Sequence, residues 1–411
     1  MYLASIILYN LILFILLIII FPYYIYLIIK GKTRLLKNRF GFYDFDNNDY
    51  VWIHAASVGE VKIALRFIEE LRKSSFEPVM LSVQTETGFS SAVNKLPHNT
   101  FLCYAPFDFK PIHCYLHYKV NIKKLILIET ELWPTMIYTC ISNKIPVYLI
   151  NARISDKTYE LYKKLNFLFA PLLNNMVCIC AQNDVYKKRF LGMGCHDYKV
   201  KLIPNLKYDL LQTNAKEVKK DFLLGKKVFV SGSLRSGEEG IIINCFAALK
   251  EIFPDLVCVV APRHMHNVEK IIDVLKNKNI SYKRYTEISA YNDEDIIVVD
   301  TVGDLINIYK MADVVFVGGS LVDTGGHNIL EPIALGKPVI FGEYMRNFID
   351  EAKLVLENNA GVQVKNSEEL ICAVKDILLT PKKAEELSLK ALNFLTSHQG
   401  GISKTVKIIF E

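Results

Sequence analysis

The sequence predicts an α/β protein of two doubly wound, Rossmann-like domains behind an N-terminal apolar helix. Three observations carry that prediction. From about residue 50, short apolar runs alternate with amphipathic segments, as parallel strands covered by helices on both faces require. The alternation restarts near residue 227, after the polar and weakly patterned stretch "DLLQTNAKEVKKDFLLG". No charged residue occurs between Leu3 and Ile29.

With 411 residues the chain is too long for one ordinary core. A composition 51% hydrophobic and 22% charged belongs to a folded protein. The net charge of +6 is mild and gives no argument for a nucleic-acid partner. The nine cysteines include no CxxC pair, so a disulfide framework is not implied and a reducing compartment is.

The first segment, 1–29, exceeds the roughly 20 apolar residues that span a bilayer. Lys30, Lys32, Arg34, Lys37 and Arg39 follow at once, and Tyr23, Tyr24 and Tyr26 fit an interfacial belt. The segment lacks the basic start, short apolar core and small-residue cleavage site of a signal peptide. The expectation is a single-pass anchor with residues 30–411 on the cytoplasmic side. The alternative is a buried hairpin of two short helices broken at Pro22.

Residues 30–210 form the first expected domain, with strands at "YVWIHA", "PVMLSV", "TFLCYAPF", "KLILIE", "PVYLINA" and "NMVCICA". Residues 211–390 form the second, with "KKVFVSGS", "DLVCVVAP", "SYKRY", "DIIVVD", "DVVFVGG" and "PVIFG". The boundary is expected near 208–225, and a helical tail at 391–411. Two such domains leave a cleft, and ligands bind outside the carboxyl ends of the strands. The loops after strands are therefore where chemistry is expected.

In "HAASVGE" the side chains thin to Ala55, Ala56, Ser57 and Gly59 before Glu60, where a helix begins. The helix dipole favours an ionised carboxylate there, which accounts for a glutamate by architecture alone. It is also the state a general base needs, and both readings stand on the residues alone. "ETELWP" places Glu129 and Glu131 at a strand end before Trp133-Pro134, with proline suited to a first helical position. Lys207, in "NLKYD", reads as surface solvation without further context.

In the second half, "GGSLVDTGGHNILEP" sets four glycines before Asn328 and Glu331. Asn-x-x-Glu is close to a capping box, yet free N–H groups at a helix start also bind phosphate, and Glu331 suits a ribose. Gly319, Ser320, Gly326 and His327 share this loop. Arg263, after Pro262, can pair with phosphate or carboxylate. Val302, Gly303 and Asp304 form a further post-strand turn, and Ser233 and Arg235 lie in a small-residue loop suited to phosphate. The pairs His113/His117 and His264/His266 lack a third ligand and read as non-metal.

Together, "RFGFY", "HAASVGE", "ETELWP", "NARIS", "AQN", "NLKYD", "APRH" and "GGSLVDTGGHNILEP" resemble the Kdo transferase family over nearly the whole chain. The resemblance implies the two-domain GT-B glycosyltransferase architecture. It implies transfer of 3-deoxy-D-manno-octulosonic acid (Kdo) from CMP-Kdo onto a tetra-acylated lipid A precursor at the inner membrane, in lipopolysaccharide biosynthesis. Glu60 would then be the base, and Glu129 and Lys207 would stabilise the transition state. Pro262, Arg263, Val302, Gly303, Asp304, Asn328 and Glu331 fall on CMP-binding positions. One departure is Leu234-Arg235, where many members of the family have a histidine. No cofactor or metal is expected, since arginine and backbone amides can neutralise a single leaving phosphate. Three alternatives stay open: a transferase using a UDP-sugar, a silent nucleotide-sugar binding protein, and a dinucleotide-dependent oxidoreductase.

Overall fold

The computed structural model describes residues 2–44, 48–211, 223, 225–290 and 292–411. The linker expected near 208–225 lies for the most part outside the described residues. The chain divides into two compact units, Met1–Leu210 with Gln399–Glu411, and Leu211–His398.

Unit 1 is built on seven strands: β1 (Asp49–Ala55), β2 (Val79–Val83), β3 (Thr100–Tyr104), β4 (Asn121–Ile128), β5 (Val147–Ala152), β6 (Cys178–Ala181) and β7 (Val200–Leu202). Their order is β3-β2-β1-β4-β5-β6-β7, and all pairings are parallel. Strand β1 is buried along "YVWIHA", which is why it reads as a continuous apolar run rather than an alternating one. The direction of winding reverses between β1 and β4, the place where open α/β sheets bind ligands. Glu60 follows β1, and Glu129 follows β4.

Unit 2 repeats the plan with β8 (Lys227–Leu234), β9 (Leu256–Pro262), β10 (Tyr282–Arg284), β11 (Ile296–Val298), β12 (Val314–Val317), β13 (Val339–Gly342) and β14 (Val362–Val364). Its order is β10-β11-β9-β8-β12-β13-β14, again parallel throughout. The reversal falls between β8 and β12, ahead of the Ser233–Arg235 loop and the Gly318–Leu321 turn. Strands β7 and β14, three residues each, have no counterpart among the expected runs.

The C-terminal stretch divides between the units. Helix Pro381–His398 stays with unit 2, and helix Gly401–Phe410 packs on unit 1. Ile402, Val406 and Ile409 join the core cluster that contains Val61, Leu65 and Ile68 of helix Val58–Leu71. Asp209 anchors the turn, accepting hydrogen bonds from the backbone N–H of Gly400 and of Ile402 at 2.6 Å each.

The apolar N-terminus is one helix, Tyr2–Ile29, with Pro22 inside it. It is not the broken hairpin. Its stretch Leu3–Tyr26 is long and apolar enough to cross a membrane. Of the basic residues that follow, Arg39 turns inward, donating to Gln84 Oε1 at 2.7 Å and to the Ala105 carbonyl at 2.9 Å.

Candidate active site

Helix Val58–Leu71 starts with a capping box. Ser57 Oγ accepts from the Glu60 N–H at 3.3 Å and donates to Glu60 Oε1 at 2.8 Å. The Ala56 N–H donates to Glu60 Oε2 at 2.8 Å. Glu60 is nonetheless 7% exposed, and burial raises its pKa. The Ala56 and Ser57 hydrogen bonds oppose that rise, and the charges of Glu131 and Glu129 add to it. A side chain at Gly59 would meet only the Ser57 hydroxyl, 3.8 Å from its Cβ, so the turn leaves open space over Gly59.

Glu129 sits at a left-handed φ of 61°, a costly conformation for glutamate that turns its side chain out of the β4 register. Its Oε1 lies 3.0 Å from Lys207 Nζ and its Oε2 lies 3.4 Å from Arg153 Nε. The structure thus brings Lys207, which alone reads as solvation, onto a largely buried carboxylate. Asn151, with φ 50°, supports the pair by accepting the Leu206 N–H at 2.9 Å, ahead of Lys207. Glu131 is held separately. Trp133 Nε1 donates to it at 2.7 Å, and His54 Nε2 lies 3.5 Å away. Burial pushes the Glu131 pKa up, but His54 and Trp133 outweigh it and leave the group below its ordinary value. His54 is fully buried and fixed through Nδ1 to Ser82 Oγ at 2.9 Å, and Ser82 Oγ also accepts from Trp52 Nε1 at 2.8 Å.

Beside this cluster lies a cavity of about 300 Å³ whose lining includes Tyr9, Glu131, Trp133, Tyr162, Leu165 and Phe169. It is mostly apolar with one carboxylate at its edge.

In unit 2 the glycine-rich turn has a different occupant from the one the sequence suggests. Glu238, fully buried, accepts from the N–H groups of Gly319 at 2.6 Å and of Ser320, Leu321 and Arg235 at 3.0 Å each. The amides at 319–321 are therefore already paired within the protein, apart from the later helix start where the sequence suggests phosphate binding. The glycines here serve packing: a Cβ on Gly318 would come 2.8 Å from both Glu238 Oε2 and Leu234 Cα. At Gly326, with φ 73°, it would come 2.5 Å from Met345 Sδ. Ser320 is buried, with its hydroxyl donating to Val317 O at 2.6 Å and accepting the Gly342 N–H at 2.8 Å.

Positive charge gathers instead around His327. Burial lowers its pKa to about 4, assisted by the charges of Arg263, Arg235 and His264. Arg235 Nη1 lies 2.5 Å from His264 Nε2. Arg235, which stands where many relatives of the resembled family have histidine, thereby joins the cluster. His327 Nε2 and Arg235 Nε are buried without a hydrogen-bond partner among the described residues. The Pro262–Arg263 bend is fixed by a register shift opposite Gly232–Leu234 and by the Arg263 N–H donating to Leu234 O at 2.9 Å.

Asn328 precedes Ile329, the N-cap of the short helix Leu330–Ala334; its Oδ1 accepts the Leu330 N–H at 3.1 Å and its Nδ2 donates to Glu331 Oε1 at 3.2 Å. Helix Leu305–Met311, which Asp304 opens, packs against Leu330–Ala334 and so sets the Val302-Gly303-Asp304 turn on the same side of the sheet. Val302 is 84% exposed, and a Cβ at Gly303 would meet nothing within 4 Å, so this turn is open to a ligand. Buried Tyr309 ties the group together, with its phenol bonded to Ser233 and beside Glu331.

Sequence reasoning named Glu60, Glu129, Glu131 and Lys207, and it missed Arg153, Asn151 and the His54–Ser82 support. It also missed Glu238 and His264. The signal for Glu238 was a glutamate pair directly after "SGSLRSG", which a count of post-strand carboxylates would have flagged.

Two families match this chain. "3-Deoxy-D-manno-octulosonic-acid transferase (kdotransferase)" covers residues 34–210, and "Glycosyl transferases group 1" covers residues 241–394. A 3-deoxy-D-manno-octulosonic acid transferase of Rickettsia bellii is 30% identical over 93% of both chains. One of Rickettsia felis is 32% identical, over 87% of this chain and 78% of the relative. A bifunctional glycosyltransferase/methyltransferase of Fusobacterium nucleatum is 36% identical over 87% of this chain, which spans 57% of that relative's length. Among solved structures, a UDP-GlcNAc 2-epimerase of Neisseria meningitidis aligns with a TM-score of 0.60 over 88% of this chain and 99% of its own, at 14% identity. A glycosyltransferase of Rickettsia africae aligns with a TM-score of 0.56 over 88% and 98%, at 13% identity. These two likenesses concern the fold, which is GT-B.

Proposed function

Since the chain belongs to the Kdo transferase family and is a Kdo glycosyltransferase, we propose that it moves Kdo from CMP-Kdo to a lipid A precursor with inversion, Glu60 acting as the base. The observation that carries the base assignment is Glu60 itself. It is a largely buried carboxylate at the switch point, its pKa is raised, and open space lies over Gly59. A raised pKa brings a carboxylate closer to the operating pH, where a base works best. In the transfer, the acceptor oxygen attacks the anomeric carbon of Kdo and the bond from that carbon to the phosphate oxygen breaks. The electron pair leaves with CMP, and the acceptor proton goes to Glu60.

Lys207, held by Glu129, supplies positive charge for the developing anion or for the carboxylate of the donor sugar. Arg235, Arg263 and His327 serve the phosphate, and the Val302–Asp304 turn and Glu331 serve the nucleoside. The apolar cavity beside Glu131 suits an acylated acceptor. The apolar helix and the basic residues after it support placement at the inner membrane, with the catalytic units on the cytoplasmic side.

The test is Kdo transfer to a tetra-acylated lipid A precursor by membranes carrying the full chain, with CMP-Kdo generated in situ. Loss of a general base lowers turnover by about 10²–10⁴-fold, so Glu60→Gln should retain CMP binding and lose activity on that scale. Near-normal turnover by Glu60→Gln removes the base assignment. A wild type that binds UDP in preference to CMP removes the donor.

A further inference from the structure

The apolar N-terminal helix is seated lengthwise on unit 1. Of the residues withdrawn from solvent, Ile6, Asn10, Leu13, Leu17 and Tyr24 are spaced as one stripe of a helix, with Ser5 and Tyr9 alongside. At 1.5 Å per residue the stripe runs for about 27 Å, over most of the helix. It is closed by polar contacts as well as apolar ones. Asn10 Nδ2 donates to Thr135 Oγ1 at 3.0 Å, and Asn10 Oδ1 accepts the Lys110 N–H at 2.7 Å. Phe14 stacks on Phe109 at 6.1 Å between ring centres, and Tyr24 meets Phe107 at 5.4 Å. The opposite face, with Leu8, Leu11, Ile12, Ile15, Ile19 and Tyr26, is bare.

We infer that this helix does not cross the bilayer but lies in its surface as part of unit 1, with its bare face in the lipid. A crossing helix could keep its seat only by drawing the start of helix Lys110–Lys119, including exposed Lys110, into hydrocarbon. A charged side chain there is strongly disfavoured. Leaving the seat would break the two bonds of Asn10 to unit 1 and leave its Oδ1 unpaired in lipid, with only the Nδ2 bond to the Ile6 carbonyl at 2.9 Å kept within the helix. Lying in the surface satisfies both sides of the helix.

A second observation points the same way. Unit 1 itself also leaves aromatic side chains bare, Phe42 and Tyr118 being 55% and 81% exposed. Phe42 packs on Tyr115, and the Lys119 ammonium lies over the rings of Tyr115 and Tyr118. Exposed aromatics edged by lysine suit a headgroup layer of anionic lipid. A self-sufficient membrane-spanning anchor has no need of them.

The test uses the full chain with a short polar epitope placed before Met1, digested in spheroplasts and in inside-out vesicles. In-plane seating predicts that the epitope is cut from the membrane face on which unit 2 is digested. Failure to cut it from that face overturns the inference. Asn10→Leu gives an independent reading. It should lower the unfolding midpoint of unit 1 followed by tryptophan fluorescence, because the clamp to Thr135 and Lys110 is lost. An unchanged midpoint also overturns the inference, since for a lipid-surrounded anchor Asn10→Leu only adds hydrophobicity.

Discussion

Replacing Glu238 by glutamine keeps the size of the side chain and reverses part of its hydrogen bonding. Each carboxylate oxygen now accepts two backbone N–H groups, Ser320 and Leu321 on Oε1, Gly319 and Arg235 on Oε2. The amide of glutamine retains one acceptor oxygen and turns two donors toward two donors. Two buried N–H groups are then left unpaired, at about 1–3 kcal/mol each, or about 2–6 kcal/mol in all. That is a large share of the 5–15 kcal/mol or so that holds a typical domain folded. The two tryptophans, Trp52 and Trp133, both lie in unit 1, so tryptophan fluorescence follows unit 1 whereas far-ultraviolet circular dichroism follows both units. In urea, the circular dichroism of the full-length variant in detergent should gain a component shifted down by about 1–2 M. Circular dichroism profiles that coincide to within about 0.3 M would refute the claim that Glu238 holds the glycine turn together.

Other consequences follow from the same geometry. Glu131 raises the Glu60 pKa, so Glu131→Gln should move the acid limb of the kcat/KM profile to lower pH; no movement, or movement upward, contradicts the coupling. His327 is depressed to about 4 by burial and by the charges of Arg263, Arg235 and His264, so its neutral form is favoured in the folded state. An anion on that cluster should raise the pKa and draw a proton onto the ring. The His327 ring should therefore titrate at higher pH in the CMP complex than in the free protein when followed by NMR, and His327→Gln should remove that titrating signal. Asp209→Ala removes two charge-assisted hydrogen bonds at the start of the C-terminal helix, and about 2–4 kcal/mol should be lost from unit 1 by tryptophan fluorescence.

The doubly wound plan was legible because parallel strands buried on both faces leave runs such as "KLILI" and "DVVFV" that no surface element tolerates. The short edge strands β7 and β14 left no such trace, since "VKL" and "VQV" owe their pairing to neighbours already in place. The Glu60 turn was legible as a site because thin side chains and a helix start coincide in sequence. The Lys207–Glu129 pair was not legible from residue chemistry, as 78 positions separate its members and only the closing of β7 beside β6 brings them near. The glycines of "GGSLVDTGGHN" suggested a ligand, whereas several of them make room for Glu238, Met345 and Asn347. A glycine records a close approach without recording what approaches. The seat of the N-terminal helix on unit 1 was hidden for a related reason: its inner face and its outer face are both apolar, so hydropathy alone does not tell one from the other.

The return of the last helix to unit 1 bears on how the chain is made. Helix Val58–Leu71 and β7 leave the ribosome before any of unit 2, and the helix that covers Val61, Leu65 and Ile68 is translated only after unit 2. At about 5–20 residues per second, the interval between Leu210 and Gln399 lasts roughly 10–40 s. During that time the first unit is an unfinished core whose apolar N-terminus has already emerged. Nascent chains truncated anywhere in unit 2 should therefore be protease-sensitive in unit 1, and loss of the last dozen residues should leave a protein delivered to the membrane before it can complete its fold.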